Sequence, residues 1–223
     1  MRLNQWLVRA GAAPARRKAD ELINQGRVLV NDKLPELGTK IGADDVVKLD
    51  GQRQRLQDVS AQILVLNKPA GVVSSHKGQG GDETLFSLIP AEYADWKIIG
   101  RLDKDSEGLT ILSNDGDLVQ ALGHPSAGHA KHYRVWLNRS LVEGDVWRLE
   151  AGVELEEGLS QFTKVEVHDQ YVDVWLITGW NRQVRRTFEV LEYRVRRLQR
   201  LEIGPYRLGD LEEGKWELRE AIQ

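Results

Sequence analysis

Residues 98–109 read Ile98-Ile99-Gly100-Arg101-Leu102-Asp103-Lys104-Asp105-Ser106-Glu107-Gly108-Leu109, a polar, glycine-bounded junction between two apolar runs. Ile98-Ile99 and Leu109–Leu112 have strand length and composition, and Asn114-Asp115-Gly116 turns the chain after the second. Upstream, Ile63–Leu66 is another continuous apolar run, ended by Asn67-Lys68-Pro69 and Gly71. Downstream, Tyr133, Val135 and Leu137 alternate with His132, Arg134 and Trp136, the period of a half-buried strand. Thr163–Val167 and Tyr171–Ile177 predict a hairpin across Asp169-Gln170. Val184, Phe188 and Leu191 then share one face of a helix that Asn181 can cap. The region predicts a mixed, mainly antiparallel sheet flanked by helices.

The first fifty residues follow another pattern. Leu3, Trp6, Leu7 and Ala10 recur at helical spacing before Gly11, and Ala19, Leu22 and Ile23 repeat the pattern before Gly26. Arg16-Arg17-Lys18 opens the second helix, and the three point different ways around its first turn, so at least some of them face solvent together. Val28–Val30 and Val46–Leu49 predict short strands, turned by Asn31-Asp32 and Asp50-Gly51. The fold class is therefore α+β. A helix-helix-hairpin domain spans 1–51, a polar linker 52–60, and the larger domain 61–223.

Composition narrows the function. A chain of 223 residues with 41% hydrophobic content buries a real core. The absence of cysteine removes disulfides, thiolate metal sites and thiol nucleophiles, and fits a reducing compartment such as the cytoplasm. Leu3, Trp6, Leu7 and Val8 are broken by Arg9 and do not form a signal core, and no run has membrane-spanning length. The formal net charge of −3 hides two basic zones. Residues 1–33 hold seven Lys/Arg against three Asp/Glu, and residues 182–207 hold eight Arg against three Glu. Local charge governs phosphate contacts, so both zones are candidates for a polyanion; either is also readable as a solvated helix face.

Within the central junction, Asp103, Asp105 and Ser106 taken alone are residues that make turn and capping hydrogen bonds. The wider text points further. Residues 2–32, "RLNQWLVRAGAAPARRKADELINQGRVLVND", resemble the RNA-binding module named after small-subunit ribosomal protein S-four. The segment Gly100–Leu109 resembles the signature loop of the pseudouridine synthases, in the branch that acts on ribosomal RNA and carries that module. Three further blocks stand in the same order: "LNKPAGVVSS", "HPSAGHAKHYRVWL", and "NRQVRRTFEVL" with "RLQRLEIGPYRLGDLEEGKW". Four ordered blocks are far more specific than one. The departures are Ser106 where many relatives have threonine, Thr187 where many have methionine, and Glu192-Tyr193 where a glycine-containing pair is usual.

The resemblance implies that Asp103 is the essential carboxylate, acting at the sugar's anomeric carbon as nucleophile or as charge stabiliser. It makes Tyr133 the ring that stacks on uracil and moves a proton, although a tyrosine on an alternating strand is by itself an ordinary core residue. It makes Arg185 the cation paired with the carboxylate, and Arg101 the residue that fills the gap left by a flipped base. Substrate contacts fall to Arg101, Leu102, Lys68, Asn181, Arg182, Gln183 and Arg186, and RNA contacts to Arg2, Arg16, Arg17, Lys18 and Arg27. No cofactor is required, because the bonds exchanged are of equal oxidation level. The implied partner is ribosomal RNA or an assembling ribosomal subunit, with no membrane, no metal, and a monomer as the expected state.

Two patterns are set aside. His124, His129 and His132 lack carboxylate or thiolate companions at ligand spacing, and Gly78, Gly80 and Gly81 lack the lysine-hydroxyl ending of a phosphate-binding loop. The rival functions are a non-catalytic RNA-binding ribosome-assembly factor and a nucleic-acid glycosylase. The first does not need Asp103, Tyr133 and Arg185 together, and the second releases free uracil.

Overall fold

The computed structural model describes residues 1–56, 62–76, 78, 80–123 and 128–222. The chain divides into two compact units, Met1–Ser60 and Ala61–Gln223.

In the first unit, α1 (Leu3–Arg9) and α2 (Arg16–Asn24) precede a three-stranded antiparallel sheet of β1 (Val28–Val30), β2 (Val47–Leu49) and β3 (Gln52–Arg53). Leu3, Trp6, Leu7, Ala19, Ile23, Val28 and Val47 close its core, each large apolar side chain stabilising by roughly 1.5–3 kcal/mol on burial. Asn31 and Asp32 both hold positive φ, and Val30 and Lys33 exchange backbone hydrogen bonds of 2.9 and 3.0 Å, the geometry of a tight type I′ turn. Asp50-Gly51 likewise turns β2 into β3 with both φ values positive. Gln52 and Arg53, expected in the linker, are therefore a third strand; the rest of that linker lies partly outside the described residues.

The second unit contains β4 (Gln62–Lys68), β5 (Lys97–Ile99), β6 (Glu107–Ser113), α3 (Gly116–Gly123) and β7 (Lys131–Leu137). Then come α4 (Glu143–Ala151), the small hairpin β8 (Val153–Leu155) and β9 (Gly158–Ser160), and the hairpin β10 (Lys164–Val167) and β11 (Val172–Leu176). It ends with α5 (Gln183–Val190), β12 (Val195–Ile203), β13 (Tyr206–Arg207) and β14 (Trp216–Glu220). The main sheet runs β10-β11-β7-β12-β6-β4-β14, with β5 beside β6 and β13 beside β12. Only β12 and β6 pair in parallel among its described strands, so the sheet is mixed and mainly antiparallel. The sequence reading contained neither α3, α4 nor β12. The last is dense in arginine, and its inward positions Leu198, Arg200 and Ile203 do not look apolar in alternation.

The helix over residues 183–190 begins differently from the expectation. Arg182, not Asn181, is its N-cap, in the left-handed conformation at φ 50° and without a side-chain cap. A non-glycine residue there carries backbone strain that surrounding contacts must hold.

The β6–β12 pairing is unusually close at Gly108. Its φ is +100°, and a Cβ added there would stand 2.3 Å from the Arg200 carbonyl oxygen and 2.8 Å from the Arg200 nitrogen. Gly108→Ala must either part the two strands or distort the loop before them. The expected result is destabilisation on the order of 3 kcal/mol, read as a lower urea midpoint at unchanged m-value.

Candidate active site

A cavity of about 610 Å³ opens between the ends of these strands and α5. Asp103, Tyr133, Arg101, Leu102, Asn181, Arg182 and Gln183 all line it, so seven of the predicted residues share one site. Leu176, Val184 and Leu198 supply apolar wall, while Lys131 and Arg200 bring two nearly buried cations. Asp103 is the sole carboxylate among the described lining residues.

Asp103 sits half-buried on a tight loop, its carbonyl accepting from the Ser106 amide at 3.1 Å. No hydrogen bond or ion pair among the described residues reaches its carboxylate, although its charge acts on both Arg182 and Arg185. Four cations hold the loop around it. Arg200, 1% exposed, donates through Nε to the Leu109 carbonyl at 2.9 Å and through Nη2 to the Gly100 carbonyl at 2.6 Å. Arg182 makes a two-pronged pair with the Asp105 carboxylate, both bonds 2.9 Å. Arg185 donates to the Asp105 carbonyl at 2.8 Å and to Ser106 Oγ at 3.3 Å.

Lys68 completes the set. Its ammonium is wholly buried and donates to the carbonyls of Pro69, Val72 and Lys104 at 2.9, 2.8 and 3.5 Å.

Three predicted residues have other partners within the chain. Arg185, expected to pair with Asp103, ion-pairs instead with Asp105 at 3.3 Å and lies outside the cavity wall. The peptide turn carries Asp105 toward α5 while Asp103 faces the cavity. Lys68, expected at the substrate, has every donor on backbone behind the loop. Arg186 also leaves the wall, gripping the Glu157 carboxylate at 2.7 and 2.9 Å. Gln183 does line the cavity, but its amide is occupied: Nε2 donates to Ser160 Oγ and Thr178 Oγ1 at 2.9 and 2.7 Å, and Oε1 accepts from the Trp180 amide at 3.1 Å. Thr187, one of the departures from the family text, meets Ser160 Oγ at 2.7 Å in the same network.

The surroundings shift several groups. Burial raises the Asp105 carboxyl, but the Arg182 hydrogen bond and the neighbouring guanidiniums outweigh it and hold it below its usual range. Burial lowers the Arg185 guanidinium and the Lys131 ammonium, the latter also feeling Arg200. Lys68 is pushed down to about 8, chiefly by burial.

Lys131 and Arg200 were missed by the sequence reading. Lys131 stands two residues before Tyr133 on an alternating strand, which already places both on one face. Among the histidines, His124 lies outside the described residues, and His132 stacks on Trp175 with ring centroids 4.0 Å apart. Glu166, His168 and Asp173 do converge at ligand spacing, but both Asp173 oxygens accept from Arg134 at 2.9 Å.

In the first unit Arg2, Arg16, Arg17, Lys18 and Arg27 are all exposed. Lys18 pairs with Glu21 at 2.7 Å and Arg27 with both Asp50 oxygens, whereas no ion pair among the described residues reaches Arg16 or Arg17. No described helix is long and apolar enough to cross a membrane.

Comparison with known proteins is consistent across the chain. The RNA pseudouridylate synthase family matches residues 62–190, and the S4 domain matches residues 1–47. The dual-specificity RNA pseudouridine synthase RluF of Escherichia coli is 34% identical over 97% of this chain and 74% of its own length. The ribosomal large subunit pseudouridine synthase B of Haemophilus influenzae is 34% identical over 97% of this chain and 64% of its own. A crystal structure described as a pseudouridylate synthase superposes with a TM-score of 0.68 at 27% identity, covering 98% of this chain and 96% of that one.

The Lys68 environment gives a signed pH effect. The unfolded amine holds its proton up to its ordinary value of 10.5, whereas the folded one releases it near 8, so unfolded chains bind more protons between those values and stability rises with pH there. The burial penalty on the charged amine is fully present below pH 8. Wild type should therefore gain unfolding free energy relative to Lys68→Met between pH 7 and pH 10 in parallel urea titrations; parallel curves would refute it.

Proposed function

The chain belongs to the RNA pseudouridylate synthase family, and from that premise we propose that it isomerises a specific uridine of ribosomal RNA to pseudouridine with Asp103 as the essential carboxylate. The observation that carries the reading is Asp103: an unpaired carboxylate in a cavity whose other charged lining groups are cations, held on a loop that neighbouring cations fix from behind.

Isomerisation breaks the N1–C1′ bond of uridine and joins C5 to C1′. A carboxylate at C1′ compensates the positive charge that grows there, by electrostatics or by a covalent bond, and departs again as a stable anion. The free Asp103 oxygens suit that role. Tyr133, inward on β7 and 9% exposed, offers a ring face to the base and a phenol for moving the C5 proton. Arg185 and Lys68 from behind the loop, and Arg182 from the cavity wall, act as positioning residues for Asp103. Arg101, exposed at the rim, suits the gap that an extruded nucleotide leaves in its helix.

The S4 domain supplies the RNA grip. Its unpaired Arg16 and Arg17, beside the start of α2, suit phosphate contacts whose strength falls with salt. Ribosomal RNA or an assembling subunit is the partner in this reading, and the cytoplasm its compartment.

Asp103→Asn keeps shape and hydrogen bonding but removes charge. Single-turnover assays should show pseudouridine formation reduced by on the order of 10⁴-fold or more, with RNA affinity within about twofold of wild type. Pseudouridine-specific chemical mapping of ribosomal RNA from a deletion strain should lose a defined site; if none is lost, the ribosomal assignment fails. Recovery of free uracil would instead indicate a glycosylase. For the RNA grip, Arg16→Glu with Arg17→Glu should weaken filter binding by about 10- to 100-fold at low salt and flatten its salt dependence by roughly two phosphate contacts.

A further inference from the structure

Lys131 and Arg200 are buried cations without a carboxylate partner. Lys131 is 7% exposed and Arg200 1%, and among the described residues no ion pair reaches either. Lys131 Nζ donates to the carbonyls of Ile177 and Thr178 at 3.1 and 3.4 Å, which leaves one of its three protons. Arg200 uses Nε and Nη2 on Leu109 and Gly100, and Nη1 makes no hydrogen bond among the described residues. Both free donors belong to residues of the cavity wall. Arg200 Nη1 lies 3.5 Å from where a Cβ on Gly100 would stand, and Lys131 Nζ 3.7 Å from the corresponding point on Gly179, two glycines of the same wall.

Strand register explains the convergence. Lys131 and Tyr133 are two apart on β7, and Arg200 on β12 stands directly opposite Tyr133. All three side chains share one face of adjacent strands. Two desolvated like charges close enough to influence one another are unfavourable unless something negative enters between them.

We propose that Lys131, with Arg200 beside it, receives the negative charge that develops on the uracil ring when its bond to the sugar breaks, through the carbonyl oxygens of the base. The proposal rests on the reading that this cavity holds a uridine. When N1–C1′ breaks, the electron pair stays on the ring, and the detached base is an anion whose charge is shared by N1 and the carbonyl oxygens. Asp103 balances C1′ meanwhile. The base turns, a ring pair forms C5–C1′, the C5 proton leaves, and a proton is restored at N1, so the product is an isomer of the substrate. An apolar cavity would oppose charge on the ring; two cations with free donors stabilise it and still leave the base able to turn. A backbone phosphate is the other anion to consider. It fits the exposed rim at Arg101 and Asn181 better than these buried groups, which share their wall with Leu176 and Leu198.

The test uses the full chain with RNA carrying uridine or 5-fluorouridine at the target, following loss of the parent nucleoside in single turnovers. Fluorine stabilises the ring anion and should partly replace a missing cation. Lys131→Met is expected to slow the uridine reaction about 100-fold, the size of effect found for removing one oxyanion donor, but the 5-fluorouridine reaction only about 10-fold, with RNA affinity unchanged. Lys131→Gln, which can keep the carbonyl hydrogen bonds without the charge, is expected to behave likewise and replaces the methionine variant if that one does not fold. Equal losses on both bases would overturn the proposal as a structural effect. Weakened RNA affinity with a reduced salt slope would overturn it in favour of phosphate binding. Failure of wild type to convert either base would instead refute the underlying reading of the cavity.

Discussion

The second domain depends on the fixing of one loop by buried and half-buried cations. Gly100–Leu109 has too little apolar side chain to hold itself, and its backbone leaves carbonyls pointing inward at Gly100, Lys104 and Asp105. Arg200 and Arg185 satisfy the first and last of those carbonyls, the Gly71 amide takes the Lys104 carbonyl at 2.7 Å with Lys68 Nζ a longer second donor at 3.5 Å, and Arg182 takes the Asp105 carboxylate. Hydrogen bonds from a charged donor are about twice as strong as neutral ones, and in a low-dielectric interior they also keep their geometry. The arrangement is a scaffold with one acidic side chain left over, and that one is Asp103.

This division of labour explains the second basic zone. Of the eight arginines between 182 and 207, Arg182, Arg185, Arg186, Arg197 and Arg207 pair with carboxylates, and Arg185 and Arg200 donate to backbone carbonyls. The zone that reads as a polyanion surface is thus mostly internal bracing. In the N-terminal zone Arg16 and Arg17 are exposed, and no ion pair among the described residues reaches them. A protein of net charge −3 can present exposed, unpaired cations locally while many of its other cations pair with carboxylates in place.

Much of this was legible in the sequence for physical reasons. Apolar runs bounded by turn residues gave β4, β6 and the β10–β11 hairpin, and Asn31-Asp32 and Asp50-Gly51, all at positive φ that few other residues adopt cheaply, gave the turns of the first unit. Strand alternation placed Tyr133 inward. What failed was assignment among equal neighbours. Arg182, Arg185 and Arg186 are indistinguishable by type, and one turn of helix decides that they meet Asp105, the loop carbonyl and Glu157 respectively. Asp103 and Asp105 are likewise two residues apart, and only the turn between them separates the cavity-facing carboxylate from the braced one. Lys68 was misplaced because a buried lysine is rare enough that exposure is the default expectation.

The same rarity identifies what is functional in the cavity. A cation buried on backbone carbonyls is tolerable when the chain needs those carbonyls held, and that accounts for Lys68, whose three donors are all engaged and whose amine gives up its proton readily. It does not account for Lys131 or the open edge of Arg200, which retain donors facing a space that a ligand can enter. Buried polar groups are almost always satisfied in folded proteins, so donors left open at a cavity wall point to a ligand rather than to the fold. In the proposed reaction the acid and the two cations take complementary places: Asp103 at the sugar, where positive charge grows, and Lys131 with Arg200 at the base, where the departing electron pair goes.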